Sequence, residues 1–364
     1  MENWFSMMVP KAIAAYYEKV RTNDIPMLGP ALFPSKSKQG LRLEYIKGYD
    51  SVPALLTPSA FDTKPPLRVG GQIETEGTKM PFFRESIHFT EEDRQLLLMF
   101  QDANRGSAYA AEIIRRFFDN AKDLIDGANF VPEVMRMGLL TAGKFSLATT
   151  DTNKSQTVNY DYNYDPKGTW ASKNVTTLTT NSTWNNTTTA DPIRDIIKVK
   201  EAAAARGITL TRMIVGPKTM SYLVANEKIL KNMFYIKSNL IGALPTDVTS
   251  DAVRTYILSA TGVSVTVYDK QYVDYEGSSK FFYPEEKFAT LLPAGTLGNT
   301  WYGTTPEQAD LMSGNVDCDV TILGSGLALC QKKESLPVNV ITWVSEIVLP
   351  SFENMNRVFN IKWE

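Results

Sequence analysis

One histidine, His88, occurs in the 364-residue chain, so any Ser-His-Asp or Cys-His nucleophilic site has to use it. It stands in Ser86-Ile-His-Phe89, an alternating apolar and polar segment, where an ordinary strand histidine is expected rather than a base. The two cysteines, Cys318 and Cys330, have neither metal-ligand nor thioredoxin-type spacing, and read as free, buried thiols of a reducing compartment. No His/Cys/Asp/Glu cluster has zinc or calcium spacing, and no phosphate-cradling glycine loop occurs. Gly324-Ser-Gly326 lacks a third glycine and reads as a hairpin turn. Glu91, Glu92 and Asp93 follow Thr90, and a capping hydroxyl before three acids places negative charge at the positive end of a helix dipole. Tyr160, Tyr162, Tyr164 and Trp170 lack the interleaved basic residues of a base-stacking surface, which points to core or interface packing. No catalytic residue, cofactor or metal is expected, and the weight moves to a protein that acts through its shape and contacts.

Composition supports that direction. Hydrophobic residues make up 43% and charged residues 21%, the balance of a globular chain. The 38 basic and 40 acidic residues nearly cancel, which argues against a dedicated nucleic-acid binder and leaves little repulsion between copies. The start, Met1 to Pro10, carries an acid and no basic region, so no secretory signal is expected. No run approaches the roughly 18 apolar residues of a membrane span, and no membrane partner is expected.

The elements that position these residues begin with residues 1–36, read as an arm with a short helix near Lys11 to Val20 and little core of its own. Residues 40–90 read as two extended limbs around a tip rich in breakers, Pro58, Asp62, Pro65 and Pro66. Such an arm either packs on another molecule or is a surface hairpin, which is marginal unless one face is covered. Ile113, Ile114, Phe117, Phe118, Ala121, Leu124 and Ile125 make an amphipathic stripe, predicting a helical spine over about 106–142 with Pro132 at a continuation or kink. Residues 145–165 alternate as strands. The Thr/Asn/Ser-rich stretch 174–190 reads as a loop or weak strand without a core. From Asp191-Pro192, a helix start, the pattern becomes α/β: a helix to Gly207, a strand Arg212–Val215, a short helix to Ala225, a helix begun by Thr246 and Asp247, a strand Val263–Tyr268, and a hairpin over Gln271 to Phe282. The tail is β-rich.

The order of parts resembles the major capsid proteins of tailed bacteriophages, in particular the lambda-type family often called family E. The resemblance is carried by Gly168-Thr-Trp-Ala-Ser172, Asp191-Pro-Ile-Arg-Asp-Ile196, Val215-Gly-Pro-Lys-Thr-Met-Ser-Tyr-Leu223, Val267-Tyr-Asp-Lys-Gln-Tyr-Val273 running on to Phe281-Phe-Tyr-Pro284, and the closing pattern Ile341 to Trp363. It implies an α+β fold of the Hong Kong ninety-seven type: an N-terminal arm at 1–36, an extended loop at 37–89, a peripheral domain with the spine helix at 90–185, an inserted axial α/β domain at 186–300, and a closing β segment of the peripheral domain at 301–364. It further implies hexamers and pentamers of an icosahedral shell around double-stranded DNA in the virion, assembled in the bacterial cytoplasm with a scaffolding protein and a portal as partners, and leaves open whether a decoration protein binds outside. The extended loop would lie over a neighbour's spine helix, with Lys64, Arg68, Ile73, Phe82, Phe83, Arg115 and Arg116 as candidate intersubunit contacts. Some tailed-phage shells cross-link a loop lysine to an asparagine, a role in which Lys64 and Asn354 or Asn356 can be imagined, although the lambda-type pattern does not imply it. The alternative readings are another shell or tail-tube protein, or an α/β enzyme or ligand-binding protein built on 190–300, and the missing catalytic set counts against the last.

Overall fold

A computed structural model describes residues 9–20, 27–46, 75–92, 95, 107–150, 157–237, 248–274, 277–314, 317–335 and 338–364. In chain order, α1 (Pro10–Val20), α2 (Gly29–Leu32), β1 (Ser35–Ser37), β2 (Arg42–Ile46), β3 (Thr75–Lys79), β4 (Phe82–Phe89) and the long α3 (Ser107–Ala142) come first. Then follow β5 (Lys144–Thr150), β6 (Thr157–Asn163), α4 (Thr169–Asn174), β7 (Val175–Leu178), α5 (Pro192–Ala204), β8 (Leu210–Val215), α6 (Pro217–Ala225), α7 (Glu227–Lys237) and α8 (Ser250–Thr261). The chain closes with β9 (Ser264–Val267), β10 (Gln271–Val273), β11 (Ser279–Phe281), β12 (Phe288–Pro293), β13 (Asn299–Tyr302), α9 (Pro306–Ser313), β14 (Asp319–Leu323), β15 (Leu327–Ser335), β16 (Val338–Ser351) and β17 (Phe359–Trp363). Contacts divide the chain into two units, each built from segments far apart in sequence. One holds 1–44, 77–135 and 299–351, the other 45–76, 136–298 and 352–364.

The first unit is organised by β16, a 14-residue strand long enough to take three partners. Its first part pairs with β15 on one side and with β4 on the other, and its end pairs with β13. β1 adds in parallel to β13, and β14 closes the far edge beyond β15. The α3 stripe supplies Phe117, Ala121, Leu124 and Ile125 to a core shared with Ile13 and Tyr17 of α1, Phe89 of β4, Leu327 and Leu329 of β15, and Val344 of β16. Phe89 and Phe117 meet edge to face at 5.6 Å, a favourable aromatic geometry. The helix has 36 residues, a length of about 54 Å. It runs through the buried Pro132 as one helix, without the fresh start that a proline allows.

The second unit centres on a five-stranded sheet of order β7-β17-β12-β8-β9. β8 and β9 run parallel, as do β17 and β7, whereas β12 is antiparallel to both neighbours. Helices α5, α6, α7 and α8 bury Ile196, Val199, Met220, Leu223, Ile229, Met233, Val253 and Ile257 against the strands. Local chemistry sets the helix ends. The Asp191 carboxylate accepts the Arg194 amide at 3.2 Å, and Gly262 closes α8 in the left-handed region at φ +68°. Gly138 lets the base of β5 approach α3, since a Cβ there would stand 2.9 Å from the Phe145 Cβ.

Three expectations are corrected. The arm is not coreless: Ile13, Leu32 and Phe33 are fully or almost fully buried, and the Gly29 amide donates to Glu133 at 3.0 Å. Its apolar residues are few, but α1 is amphipathic enough to cover the stripe of α3 within one chain. In 174–190 the strand alternative holds, but the expectation that the stretch has no core does not. Val175–Leu178 pairs in register with Asn360 to Trp363, and Trp184 is 0% exposed, its ring 5.0 Å from that of Trp363. One large residue suffices when a strand and a helix from elsewhere close around it. The helix expected from Thr246 and Asp247 instead begins at Ser250, where the Thr249 hydroxyl accepts the Ala252 amide. The helices α7 and α9 and the strands β12 and β13 were also absent from the sequence reading.

Candidate intersubunit surfaces

The polar groups with unusual surroundings serve packing. Glu307, in the first turn of α9, is 6% exposed and accepts the Ser345 hydroxyl at 2.7 Å and the Trp343 indole N–H at 3.1 Å, and it pairs with Arg84. Burial by itself raises its pKa, but the hydrogen bonds from Ser345, the backbone and Trp343, together with the Arg84 charge, outweigh it and hold the carboxyl below the usual range. Asp195 is the opposite case. Burial pushes its carboxyl up in spite of the Trp184 indole, which donates to it at 3.1 Å. The Tyr283 hydroxyl is buried between the Ile214 carbonyl at 3.0 Å and Thr290 at 2.9 Å, and burial pushes it far up. Cys330 is buried and Cys318 half-buried, both free, and burial with the nearby Glu307 charge raises both thiols. Thiols held protonated in this way are poor nucleophiles. His88 is exposed on β4 opposite Ile341. Among the described residues, no group of three His, Cys, Asp or Glu is placed to hold a metal ion, and no helix is long and apolar enough to cross a membrane.

The Glu307 cluster escaped the sequence reading, yet a signal was present. Thr305 caps α9 by accepting the Gln308 amide, Pro306 takes the first helical position and Glu307 follows in the first turn. What no local pattern announces is that Arg84, Trp343 and Ser345 converge on that acid from two distant strands.

Of the candidate contact residues, Lys64, Arg68 and Ile73 lie outside the described residues. Phe82 and Phe83 are half-buried on β4, opposite Ile347 and Glu346 of β16, and the Arg84 guanidinium lies 5.0 Å from the centre of the Phe82 ring. The end of the expected return limb is therefore a strand of the chain's own sheet. Arg115 and Arg116 are exposed on α3, Arg115 with Asp119 at 3.6 Å and Glu112 at 3.9 Å. Such exposed pairs contribute at most about 1 kcal/mol each, so the arginines stay available to a partner. The structure thus places two candidates on the sheet and two on the helix of one unit.

Other outward-facing apolar groups were not singled out from sequence. Val273, in the β10–β11 hairpin, is 67% exposed, and Met312 on α9 is 66% exposed beside Leu311. β5 and β6 pair with each other alone as a two-stranded ribbon.

Comparison with known proteins agrees with this architecture. A family model described as phage major capsid protein E matches residues 12–317. No curated protein sequence matches the chain. Among solved structures, a protein described as the capsid protein of an E. coli CFT073 prophage is 15% identical with a TM-score of 0.56, over 98% of this chain and 99% of that one. A phage-related protein from Bordetella bronchiseptica RB50 is 13% identical with a TM-score of 0.53, over 97% of each chain. The cyanophage A-1(L) capsid subunit is 11% identical with a TM-score of 0.50, over 94% of each chain. At these identities the structural likeness speaks for the fold, which is the Hong Kong ninety-seven type, while the family match speaks for the role. The chain belongs to the phage major capsid protein E family and is a structural, non-enzymatic protein of the virion capsid.

Proposed function

We propose that many copies of this chain close an icosahedral shell of hexamers and pentamers around phage double-stranded DNA. The family match over residues 12–317, on a fold shared from end to end with a prophage capsid protein, carries this reading. Residues 186–300 form the axial part around the centre of each capsomer, 90–185 and 301–364 the peripheral part, 1–36 the arm and 37–89 the extended loop. The loop lies over a neighbour's spine helix, with Lys64, Arg68, Ile73, Phe82, Phe83, Arg115 and Arg116 as the contact candidates. Assembly takes place in the bacterial cytoplasm with a scaffolding protein and a portal. Each contact is weak, and repetition through a closed lattice supplies the strength. The near-balance of 38 basic and 40 acidic residues suits a container that does not grip its contents, because DNA affinity comes from Lys and Arg neutralising phosphates.

Electron microscopy of the purified chain tests the reading: closed particles or hexameric capsomers are expected, and a monodisperse monomer at high concentration under all assembly conditions refutes it. Deleting residues 57–68 is expected to leave a folded subunit that no longer closes shells. Unaltered shells in that variant refute the role assigned to the loop.

A further inference from the structure

The chain has two cysteines, and the fold brings them together. The hairpin of β14 and β15 pairs Leu323 with Leu327 beside its turn and Asp319 with Gln331 at its open end. Cys330 stands opposite Val320 in that register. Cys318 lies two positions before Val320, in the bend that leads into β14. Side chains two apart in extended chain share a face, so Cys318 and Cys330 are diagonal neighbours on one side of the hairpin. Their contact is direct, each thiol lying within hydrogen-bonding reach of the other. Cys330 is buried, and Cys318 is half-buried.

A disulfide spans Cα atoms about 4.4–6.8 Å apart, whereas diagonal neighbours of a regular ladder stand about 7–8 Å apart. Cys318 sits outside the ladder, so it can close the difference without breaking a pairing of β14. β14 is the outermost strand of its sheet. The turn at Gly324-Ser-Gly326 already ties one end of the hairpin, and a bond between Cys318 and Cys330 would tie the other. The surroundings also set the pace. The thiolate is the attacking species, and burial together with the Glu307 charge keeps both thiols protonated. Oxidation is therefore slow, and the more open Cys318 meets an oxidant first. A bacterial cytoplasm keeps such thiols reduced, whereas the surroundings of a released virion do not.

We propose that Cys318 and Cys330 form a modification site, a thiol pair that stays reduced in the producing cell and closes to an intrachain disulfide in a medium that holds small-molecule disulfides. Oxidised glutathione represents that class of oxidant. The Cys318 thiolate attacks one of its sulfurs and releases a glutathione thiolate. The Cys330 thiolate then attacks the Cys318 sulfur of the mixed disulfide and releases the second. Two protein thiols are oxidised, one small disulfide is reduced to two thiols, and the two protons pass to the released thiolates. The bond secures the edge strand β14 to β15. It goes beyond the shell-forming function and does not depend on it, since both cysteines belong to one chain.

Free subunits of the full chain, purified under reductant and then incubated with oxidised glutathione, test this by mass spectrometry. No Lys or Arg lies between Cys318 and Lys332, so one tryptic peptide holds both cysteines. That peptide is expected to become two hydrogens lighter and to resist iodoacetamide until it is reduced. Hydrogen exchange of the β14 amides is expected to slow severalfold on oxidation, to recover with dithiothreitol, and to stay unchanged in Cys318→Ser. Two cysteines that still alkylate, a lasting glutathione adduct on Cys318, or a bond only between chains overturns the proposal. Unslowed exchange in a linked chain overturns the role given to the bond. Cysteines alkylated inside the producing cells are expected to be free, and those of released particles held with oxidised glutathione to be linked; fully reduced particles overturn the assignment to the virion. If Cys318→Ser fails to fold, the dithiothreitol reversal on the wild type decides. If no particles form, the shell-forming function fails, while the free subunits still decide the cross-link.

Discussion

Replacing Glu307 with alanine removes one acceptor from three donors at once. The Arg84 side chain is 47% exposed, so water takes over its charge and its share is at most about 1 kcal/mol. Ser345 is 1% exposed, and a buried donor left without an acceptor costs about 1–3 kcal/mol. The Trp343 indole, only half-buried, loses a bond at the lower end of that range. Together these give a destabilisation of about 3 kcal/mol for Glu307→Ala. Glu307→Gln keeps the volume and one acceptor oxygen but turns a donor towards donors, for a loss of about 1–2 kcal/mol. Urea unfolding of free subunits, followed by tryptophan fluorescence, measures both. The pH dependence is a second readout. The folded carboxyl sits below its ordinary value because the hydrogen bonds and the Arg84 charge outweigh burial. Its stabilisation is therefore complete above the unfolded value of about 4.3 and lost as pH falls through the lower folded value. Wild type is expected to lose stability over that acid window more steeply than Glu307→Gln. An alanine variant within about 0.5 kcal/mol of wild type, or a glutamine variant less stable than alanine, refutes the reasoning.

Trp184→Ala is expected to destabilise the second unit by about 3–5 kcal/mol, because the ring is 0% exposed and its N–H serves the buried Asp195; a lowered urea midpoint checks it. Gly216→Ala is expected to cost about 1–3 kcal/mol or more, since its Cβ would stand 2.1 Å from the Pro284 carbonyl oxygen and 2.3 Å from that of Glu285, to which the Lys218 amide donates; an unchanged unfolding midpoint refutes it. Tyr162 is pushed up to about 12, by burial and then by Tyr160. A raised pKa means stability present below the unfolded value of about 10 and lost as pH rises towards the folded one. Tyr162→Phe is therefore expected to lose less stability than wild type between these values, measured by urea midpoints along an alkaline series.

Elements specified by contacts within one stretch of chain were legible. The α3 stripe runs through Phe117, Ala121, Leu124 and Ile125, and all four are buried. Asp191 and Pro192 start α5, and Gly324-Ser-Gly326 turns β14 into β15. The α7 start was missed even though its signal was local, the Asn226 side chain accepting the Ile229 amide at 3.0 Å. Its caps were hidden behind an apparent end of α6 at Ala225. Of the contact candidates, chemistry alone could nominate Phe82 and Phe83, but not that β4 would pair with β16 and half-bury them at home.

By itself the sequence determined the helical spine, the start of α5, the turn at Gly324-Ser-Gly326 and the absence of any recognisable catalytic constellation, because periodicity, capping and turn chemistry act over a few residues. Only the tertiary structure decided that the Thr-rich stretch after Asn174 supplies a strand beside β17, that the arm covers α3, and that Glu307 gathers Arg84, Trp343 and Ser345. Those outcomes depend on burying surface shared between segments well separated in sequence, from 36 residues for Glu307 and Trp343 to 223 for Glu307 and Arg84, and no local spacing encodes which distant partner closes over which face.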